Sequence, residues 1–522
     1  MPERPTGADD LLGAATVTGD APAVAAPDAA VPALTVLAHR QPERVGDVAY
    51  LPALALGRAV ELSRLGPAFS RPGAGAAAPL GDPGMSRSPL VLMAEEGGVR
   101  VSTPPDARIP VVDGEASPRL LLSAARLMSG VVLELSPWTV VLLHRRPPVA
   151  HPRPPRFGFV GDSAALEHVR RAIERVAELD VAVLIRGETG TGKEIVARAL
   201  HEASARRRGP FVAVNLGAIP ASVAASELFG HVRGAFTGAV TDRAGRFRDA
   251  DRGTLFLDEV GDASDEVQVA LLRTLETGEV WPVGASRPVR VDVRVVAATD
   301  ADLDARVAAG RFREALRQRL GGYALDVPPL RARRDDIGRL LDHFLAEELR
   351  PLGLEGRLRT DEPRRMPWLA AKAVSALARH AWPGNVRELR NMARRIVVEH
   401  RDRHVVALDL AAEDPAPAEQ VERTQRPSEL PDAVLLEALQ RHGWEIRPTA
   451  KHLGISRTTL IALMDRCDAI RRPKDLTRED IDRCREETGG SMEAMAERLH
   501  VSLRGLRLRL AELGPPTGGE SP

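Results

Sequence analysis

One stretch of the chain has the residue types and spacing of a phosphate-binding loop. Between the apolar run 181–185 and a helical pattern stand Gly187, Glu188, Thr189, Gly190, Thr191, Gly192, Lys193 and Glu194. Glycines let backbone amides approach phosphate oxygens, and a lysine amine neutralises the charge of the β- and γ-phosphates. The stretch therefore predicts a P-loop with ATP as its ligand, although Glu194 stands where the general motif has a Ser or Thr that holds Mg²⁺.

Polar residues end three other apolar runs, namely Asn215, the pair Asp258 and Glu259, and the pair Thr299 and Asp300. Side chains at the carboxyl ends of parallel strands face the nucleotide crevice. We predict that Asp258 organises Mg²⁺, that Glu259 polarises the attacking water and that Asn215 holds Glu259 idle. A polar side chain at Thr299–Asp300 would sense the γ-phosphate. Ordinary solvated strand ends are the alternative interpretation.

Two arginines, Arg313 and Arg319, lie six residues apart in a predicted helix that begins near Gly310. Phosphoryl transfer needs positive charge against the charge that develops in the transition state. We predict that both side chains project from one subunit into the site of its neighbour. A solvated basic helix face is the alternative, since charge runs of this kind are common.

A glycine-bracketed segment lies between the P-loop and the acidic pair, and consists of Gly234, Ala235, Phe236, Thr237, Gly238 and Ala239. Glycine permits backbone conformations that other residues avoid, so it suits a loop that changes shape. An exposed Phe ring and a hydroxyl at the tip suit contact with a partner protein. The alternative is a Gly-rich turn between two strands.

Composition limits the class of protein. A length of 522 residues predicts three or four domains, and the net charge of zero means that nucleic-acid contact needs a local basic patch. Cys467 and Cys484 are too few for a disulfide framework. The start of the chain lacks signal-peptide features and no long apolar stretch occurs, so we expect a cytoplasmic protein without a membrane span.

Changes of pattern predict a multidomain fold. Short β-like runs indicate an N-terminal β-sandwich, alternating strands and helices indicate a parallel α/β core, and a helical lid and an all-α tail follow. The predicted segments are a disordered leader at 1–34, the sandwich at 35–146, a linker at 147–156, the α/β core at 157–325, the lid at 326–408, a linker at 409–431, and helical units at 432–467 and 474–513.

The tail contains an internal repeat. Leu453–Ser456 recurs 46 residues later (499 minus 453) as Leu499–Ser502. An apolar residue and a Ser N-cap after a small turn predict a helix-turn-helix in each unit. A helical hairpin used for dimer packing is the alternative. The predicted DNA-contacting residues are Ser456, Arg457, Thr458, Thr459, Arg504 and Arg507.

These motifs together resemble the AAA+ domain of bacterial sigma-54-dependent transcriptional activators. The resemblance covers about 159–404 and rests on Gly187–Glu194, Ser226–His231, Gly234–Ala239, Gly253–Glu259, Pro328–Arg331 and Trp382–Leu389. It implies that Glu194 is usual at its position, that Arg387 is the nucleotide sensor of the lid, and that the loop 234–239 contacts sigma-54. It also implies a ring, usually a hexamer, in which Arg313 and Arg319 act between subunits. Asp300 departs from the family pattern, which has Asn.

Both ends of the chain carry resemblances of their own. The unit at 432–467 is similar to the Fis-type DNA-binding module of the same family. The head resembles a forkhead-associated (FHA) domain, which implies that Arg58, Ser86 and Arg87 contact a phosphothreonine. Pro89 and Asp113 replace a His and an Asn of that pattern.

The resemblance as a whole implies an activator that binds upstream DNA and uses ATP and Mg²⁺ to open the promoter complex of sigma-54 RNA polymerase. The head would link this activity to a phosphothreonine-containing partner. Two other classes stay open: another AAA+ remodelling ATPase, and a non-catalytic DNA-binding regulator that uses ATP only for assembly.

Overall fold

The computed structural model of the protein describes residues 30–73, 76–148, 154–360, 362, 365–406, 408, 432–453, 460–461, 463–464, 467, 470, 476–489 and 491–513. They fall into two compact units, the first ending at Glu413 and the second beginning at Asp414. The predicted leader up to residue 29 and the predicted linker at 409–431 lie outside the described residues.

The first unit opens with the predicted β-sandwich, which we call the head. Its strands are β1 (Val31–Ala38), β2 (Val48–Tyr50), β3 (Val60–Leu62), β4 (Leu90–Glu95), β5 (Gly98–Ser102), β6 (Val111–Val112), β7 (Glu115–Ala116), β8 (Arg119–Ser123), β9 (Val131–Glu134) and β10 (Val140–Arg146). One sheet has the order β2-β1-β10-β9-β6-β7 and the other β3-β4-β5-β8. The pairing Val31↔Arg146 places the first strand four residues before the predicted boundary at 35.

Apolar residues from both sheets fill the sandwich, among them Leu34, Leu92, Leu122 and Leu133, all fully buried. Successive strand residues point to opposite faces, so one face of each sheet lines this core. Two short helices, α1 (Pro52–Ala55) and α2 (Ala124–Ser129), connect strands of the head.

The α/β core follows, with a parallel sheet as predicted. Its strands are β11 (Val183–Arg186), β12 (Phe211–Asn215), β13 (Thr254–Asp258), β16 (Arg294–Thr299) and β17 (Tyr323–Asp326), in the order β12-β13-β16-β11-β17, and β14 (Glu279–Val280) with β15 (Val289–Arg290) forms a separate hairpin. Apolar clusters cover both faces of this sheet. The continuous apolar runs in the sequence match that two-sided burial.

Helices of the core pack on the sheet. They are α3 (Ala164–Ala177), α4 (Lys193–Glu202), α5 (Ala221–Phe229), α6 (Arg246–Asp249), α7 (Asp265–Thr277), α8 (Leu303–Ala308) and α9 (Glu314–Leu320). The side chain of Ser163 caps α3 by accepting a hydrogen bond from the Leu166 amide at 3.2 Å. Short 3-10 turns lie at Pro42–Arg44, Leu216–Ala218, Val260–Asp262, Leu330–Asp336, Arg350–Leu352 and Glu355–Leu358.

The lid contains α10 (Ile337–Leu349), α11 (Ala371–Arg379) and α12 (Asn385–His400). Its core is continuous with one face of the head, because Leu37, Val140 and Leu142 of the head belong to the same buried cluster as Ile337 and Val374 of the lid. A Cβ on Gly338 would lie 2.3 Å from the carbonyl oxygen of Leu37. The head and lid are therefore in direct backbone contact, which the sequence analysis, with a linker at 147–156, did not predict.

The second unit contains α13 (Asp432–Arg441), α14 (Ile446–His452), α15 (Arg478–Glu487), α16 (Met492–Arg498) and α17 (Leu503–Leu513). Residues 46 positions apart are buried alike in the two halves: Leu435 and Ile481, Ala450 and Ala496, Leu460 and Leu506. Within the described residues, none of the helices is both long and apolar enough to cross a membrane.

Candidate functional site

The P-loop joins β11 to α4, as the sequence predicts. Gly192 caps α4 with a φ of 103°, a left-handed conformation that suits glycine. The amine of Lys193 is buried, donates a hydrogen bond to the Gly187 carbonyl at 2.9 Å, and lies 3.5 Å from a carboxylate oxygen of Glu259. The lysine thus lies at the start of a helix, where both its charge and the helix dipole attract phosphate.

The lid holds this loop directly. A Cβ on Gly190 would lie 2.3 Å from the Gly384 carbonyl oxygen, and the Val386 amide donates to the Gly190 carbonyl at 3.0 Å. The Asn385 side chain donates to the Thr189 carbonyl at 3.1 Å. The N-terminus of α12 therefore packs against the phosphate-binding backbone, with room only for glycine at position 190.

A second contact joins the P-loop to the segment before the lid. Both carboxylate oxygens of Glu188 accept hydrogen bonds from the Arg331 guanidinium, and Asn385 donates to the same carboxylate at 3.1 Å. The hydrogen bonds from Arg331 hold the pKa of the Glu188 carboxyl well below its usual range. The sequence analysis missed the roles of Asn385 and Arg331, although both lie in motifs that it used.

Polar residues end neighbouring strands at one edge of the sheet. Asn215 of β12 pairs in register with Asp258 of β13, and its side-chain amide donates to the Asp258 carboxylate at 3.2 Å. In this structure Asn215 therefore contacts Asp258 and not Glu259. The role of Asn215 as a switch for Glu259 stays a prediction.

Glu259 follows β13 in a left-handed conformation with a φ of 53°. Non-glycine residues adopt this conformation at a cost and concentrate at functional sites. One carboxylate oxygen accepts a hydrogen bond from the Asp300 amide at 3.4 Å. Burial raises the pKa of Glu259, and the nearby carboxylates of Asp300 and Asp258 raise it further, against the opposing charge of Lys193.

At the end of β16, one of the two polar side chains that the sequence analysis singled out faces the P-loop. The Thr299 hydroxyl is buried and accepts a hydrogen bond from the Ala301 amide at 3.0 Å. Instead, the Asp300 carboxylate accepts a hydrogen bond from the Thr189 hydroxyl of the P-loop at 2.6 Å. Consecutive residues at a strand end point in opposite directions, so only one of the pair reaches the site.

The remaining predicted residues of the nucleotide site lie around these groups. Arg387 of α12 donates its amide to the Gly190 carbonyl at 3.3 Å. Burial raises the pKa of Asp258, whereas the charges of Lys193 and Arg387 lower it. Glu194 is exposed and pairs with Arg198 at 3.0 Å, and the hydroxyl of Thr191 donates to the Glu188 carbonyl at 2.8 Å.

Arg313 and Arg319 are both exposed, but they do not share a helix as predicted. Helix α9 begins at Glu314, so Arg313 is its N-cap, and its amide donates to the Gln268 side chain at 2.9 Å. The guanidinium of Arg319 donates to the Leu275 carbonyl at 2.8 and 3.1 Å. The start is later than expected because Arg313 has extended backbone angles, a φ of −81° and a ψ of 127°, and gives its amide to Gln268.

The side chains and backbone groups of the site are of the kinds that bind a nucleotide and Mg²⁺. Among the described residues, no group of three or more His, Cys, Asp or Glu side chains has metal-binding geometry. Mg²⁺ bound with a nucleotide commonly takes one or two carboxylates and completes its shell with phosphate oxygens and waters. Asp258, oriented by Asn215, fits that role, and the glycine cradle with Lys193 fits the phosphates.

The segment 234–239, which we call the tip loop, is a compact exposed turn. The Gly234 amide donates to the Ala239 carbonyl at 2.8 Å, and Gly234 and Gly238 have φ of 81° and 103°. Phe236 is 42% exposed, with its ring 5.0 Å from that of His231. Thr237 is exposed. The loop presents a ring and a hydroxyl to solvent, as the sequence predicts.

The predicted contacts at the two ends of the chain are only partly described. Ser456, Arg457, Thr458 and Thr459 lie outside the described residues, as does the side chain of Arg504, while Arg507 is exposed on α17. In the head, Arg58 and Arg87 are exposed, and the Ser86 hydroxyl accepts a hydrogen bond from the Ser88 amide at 3.1 Å.

Asp113 of the head has a local role that the sequence analysis did not predict. Its carboxylate accepts a hydrogen bond from the Val132 amide at 2.9 Å and pairs with Arg126 at 2.8 Å. Its carbonyl accepts a hydrogen bond from Arg379 of the lid at 2.8 Å. The residue therefore closes its own loop and fastens that loop to the lid.

A P-loop, carboxylates at the adjacent strand ends and a helical lid in contact with the loop define a nucleotide-binding domain of the AAA+ class. Three family profiles match the chain: the sigma-54 interaction domain at residues 159–326, the AAA+ ATPase lid domain at 331–428, and the Fis family of bacterial regulatory proteins at 432–466. The chain belongs to the family of sigma-54-dependent transcriptional regulators. The matched ranges begin after the head and leave it unassigned.

Two curated relatives, ZraR and NtrC, agree in sequence with this membership. The transcriptional regulatory protein ZraR of Escherichia coli is 43% identical over 314 residues, which are 60% of this chain and 69% of that protein. The regulator NtrC of Salmonella typhimurium is 48% identical over 259 residues, or 50% of this chain and 53% of NtrC, so the chain spans about half of NtrC. A solved structure of NtrX from Brucella abortus with ADP is 34% identical, covering 59% of this chain and 69% of that one, with a TM-score of 0.43.

Proposed function

We propose that this protein binds DNA upstream of a promoter and uses ATP hydrolysis to convert the closed complex of sigma-54 RNA polymerase into an open complex. The observation that carries the proposal is the presence of the exposed tip loop on the same domain as Lys193, Asp258 and Glu259. A regulator that used ATP only for assembly would need neither a water-polarising carboxylate nor an exposed ring at position 236.

The proposed hydrolysis assigns each residue one role. Lys193 and the loop amides bind the phosphates, and Glu259 orients the attacking water, with its carboxylate close to the lysine amine. Asp258 would hold Mg²⁺, which when bound neutralises charge that develops on the phosphate oxygens. Asn215 fixes the orientation of Asp258.

Ring assembly supplies the remaining positive charge in this proposal. Arg313 is exposed as the N-cap that precedes α9, and Arg319 is exposed within that helix. An arginine that a neighbouring subunit provides stabilises the transition state without taking part in nucleotide binding by its own subunit. Arg387 would report the nucleotide state to the lid, because its amide bonds to the Gly190 carbonyl of the P-loop at 3.3 Å.

The test is in vitro transcription with purified sigma-54 polymerase, a promoter with upstream sites, and the full chain. We expect open complexes only with ATP and the unchanged protein. Glu259→Ala should retain ATP binding but lose turnover and open complexes, because the phosphate contacts remain while the water loses its carboxylate. Unchanged ATP hydrolysis by this variant, or open complexes without ATP, would contradict the proposal.

We further propose that the head recognises phosphothreonine through Arg58, Ser86 and Arg87. Both guanidinium groups are on exposed segments, and arginine suits phosphate because its planar fork donates two hydrogen bonds. A phosphothreonine peptide titrated into the full chain should bind more tightly than its unphosphorylated form, and Arg87→Ala should remove the difference. Equal affinity for the two peptides would argue for a purely structural head.

The tail is proposed to carry two helix-turn-helix units. The matching burial of Leu435 with Ile481 and of Leu460 with Leu506 supports a repeated three-dimensional unit. If the second unit contacts DNA, Arg507→Ala should weaken DNA binding and reduce its salt dependence by about one phosphate contact. Unchanged DNA affinity together with a changed oligomeric state would favour the alternative of dimer packing.

A further inference from the structure

A cavity of about 400 Å³ lies where the head, the first core helix and the lid meet. The head provides Leu142 and Arg145 to its wall, helix α3 provides Ala165, and the segment before the lid provides Ala332 and Arg334. Small-molecule sites typically have volumes of about 300–1,000 Å³. The cavity is distinct from the P-loop, since neither the glycines of that loop nor Lys193 lines it.

The wall of the cavity is strongly cationic. It contains one carboxylate, Asp335, and five arginines, Arg145, Arg146, Arg331, Arg334 and Arg379. Asp335 pairs with Arg146 at 2.7 Å, and Arg331 pairs with Glu188 of the P-loop. These two ion pairs involve Arg146 and Arg331.

Backbone carbonyls hold two of the other arginines in place without neutralising them. Arg334 donates to the carbonyls of Ser129 and Gly130 at 2.7 and 2.8 Å, and Arg379 donates to those of Asp113 and Ser375. A carbonyl accepts a hydrogen bond but carries no net charge, so positive charge remains at the wall. The surrounding structure therefore fixes two guanidinium groups side by side, an arrangement that a bound anion would stabilise.

The positive charge also affects the pKa of His144, a residue of the same cavity wall. Burial, together with the charges of Arg146 and Arg334, lowers the pKa of His144 to about 3. The histidine is thus neutral near pH 7, and its ring bonds to the Thr35 hydroxyl at 2.8 Å. The charge at the wall therefore comes from arginines, which stay protonated at every physiological pH.

Arg146 adds a donor without a partner. Its guanidinium bonds to Asp335 and to the Asp162 carbonyl, and the residue is 3% exposed. Among the described residues, no group accepts a hydrogen bond from its buried Nε–H. An unsatisfied buried donor is unfavourable, so the protein does not fully satisfy the Arg146 guanidinium.

We propose that this cavity binds a small phosphorylated organic anion. Arginine is the side chain best suited to phosphate, because its planar fork can donate two parallel hydrogen bonds. The N-terminus of α3 does not contribute, because the buried Asp336 carboxylate already accepts hydrogen bonds from the Asp162 and Ser163 amides at 2.7 and 2.8 Å. Met128, Leu142 and Ala381 give the cavity an apolar part for the organic portion of the ligand.

Binding at this site would act on the nucleotide site through one short segment. The 3-10 turn Leu330–Asp336 carries Arg334 and Asp335 at the cavity, and it also carries Arg331, which bonds to Glu188 of the P-loop. The Leu330 amide donates to Asn385 at 2.8 Å, and Asn385 contacts the P-loop. A ligand that bridges the head and this turn would therefore bias the position of the lid.

The experiment measures binding of pyrophosphate to the full chain by calorimetry, with the P-loop disabled by Lys193→Ala so that the nucleotide site does not contribute. In that background, Ala332→Glu places a carboxylate at the cavity wall, and Ala332→Gln places a neutral group of the same shape there. Ala332 is exposed, so both variants should fold. We expect Ala332→Glu to weaken pyrophosphate binding at least about tenfold, and Ala332→Gln less than about twofold.

A second variant, Arg145→Met, removes one charge from the exposed rim and should weaken binding by a smaller factor. Pyrophosphate should also raise the unfolding temperature of the Lys193→Ala chain, and this increase should disappear with Ala332→Glu. Absence of binding in the Lys193→Ala chain at millimolar pyrophosphate would overturn the proposal. Equal affinity for the Glu and Gln variants would do so too, because binding would then occur elsewhere. Neither result would affect the proposed ATP-driven function.

Discussion

The P-loop and the tip loop both depend on glycine, but the space around their glycines differs. A Cβ on Gly190 of the P-loop would lie 2.3 Å from the Gly384 carbonyl oxygen, and one on Gly187 would lie 2.8 Å from that of Val327. A Cβ on Gly234 or Gly238 of the tip loop would meet nothing within 4 Å. Glycine in the first loop permits close packing, whereas in the second it permits only a backbone conformation.

This difference separates the P-loop, which would bind the nucleotide, from the tip loop, which would contact the partner protein. The lid touches the P-loop through Val386 and Asn385, so a change in the phosphate contacts reaches the lid through packed atoms. The tip loop is held at its base, where His231 and Arg243 exchange backbone hydrogen bonds of 3.0 and 2.9 Å. Its tip can therefore change conformation at small cost, since few contacts have to break.

The largest effect is expected from Gly190→Ala. The new methyl group would overlap the Gly384 carbonyl, and the φ of 80° would add strain. ATP affinity should fall at least about 100-fold, because the P-loop and the lid can no longer pack together while the phosphates are bound. Fluorescent-nucleotide titration measures the affinity, and chemical denaturation measures the free energy of unfolding.

Gly310→Ala is the matched control, because Gly310 has a φ of 67° and a Cβ there would meet nothing within 4 Å. It should cost only the strain of the left-handed conformation, about 1–2 kcal/mol of unfolding free energy, with ATP affinity unchanged. Equal losses of ATP affinity in the two variants would show that close packing at Gly190 is not what makes the P-loop glycine necessary.

Thr237→Ala should reduce open-complex formation, which depends on the partner, without reducing ATP hydrolysis. The Thr237 hydroxyl is exposed on the tip loop, so its removal should leave ATP hydrolysis within about twofold of the unchanged protein. Open-complex formation in the transcription assay should fall at least tenfold, about 1.4 kcal/mol in the remodelling step. Thr237→Ser keeps the hydroxyl and should retain most activity. Parallel losses of hydrolysis and transcription would mean that the tip loop is part of the hydrolytic site.

The sequence predicts both loops because the residues that define each lie side by side in the chain. Lys193 follows its glycines directly, and Asp258 ends its own strand. Contacts between distant residues were not predictable in this way. Asn215 was assigned to Glu259, but strand register, which adjacent residues do not reveal, places it opposite Asp258.

The contact between head and lid is a stronger case of the same limit. Gly338 looks like a weak point inside a lid helix when it is viewed in sequence alone, since glycine disfavours helices. Glycine is required at position 338 because the backbone of Leu37, which is 301 residues earlier in the chain (338 minus 37), approaches it closely. Pattern analysis detects periodic faces, but it does not identify which face of the head meets which helix of the lid.

The smallest effect is expected from Asp300→Asn. This substitution changes the charge next to the P-loop without changing the packing of the loop. The Asp300 carboxylate accepts a hydrogen bond from the Thr189 hydroxyl, and this bond holds the pKa of Asp300 below its usual value. The residue therefore carries a negative charge next to the loop that binds phosphates. Asparagine keeps an acceptor for Thr189 but removes the charge, so affinity for ATP should rise about threefold and affinity for ADP less than about twofold.

Asp304→Asn is the control for this prediction. Asp304 pairs with Arg317 at 3.0 Å, so this substitution should leave both affinities unchanged. An equal rise for both nucleotides would mean that the charge acts on the whole site. A fall in ATP affinity would mean that the carboxylate contributes to binding rather than opposing it.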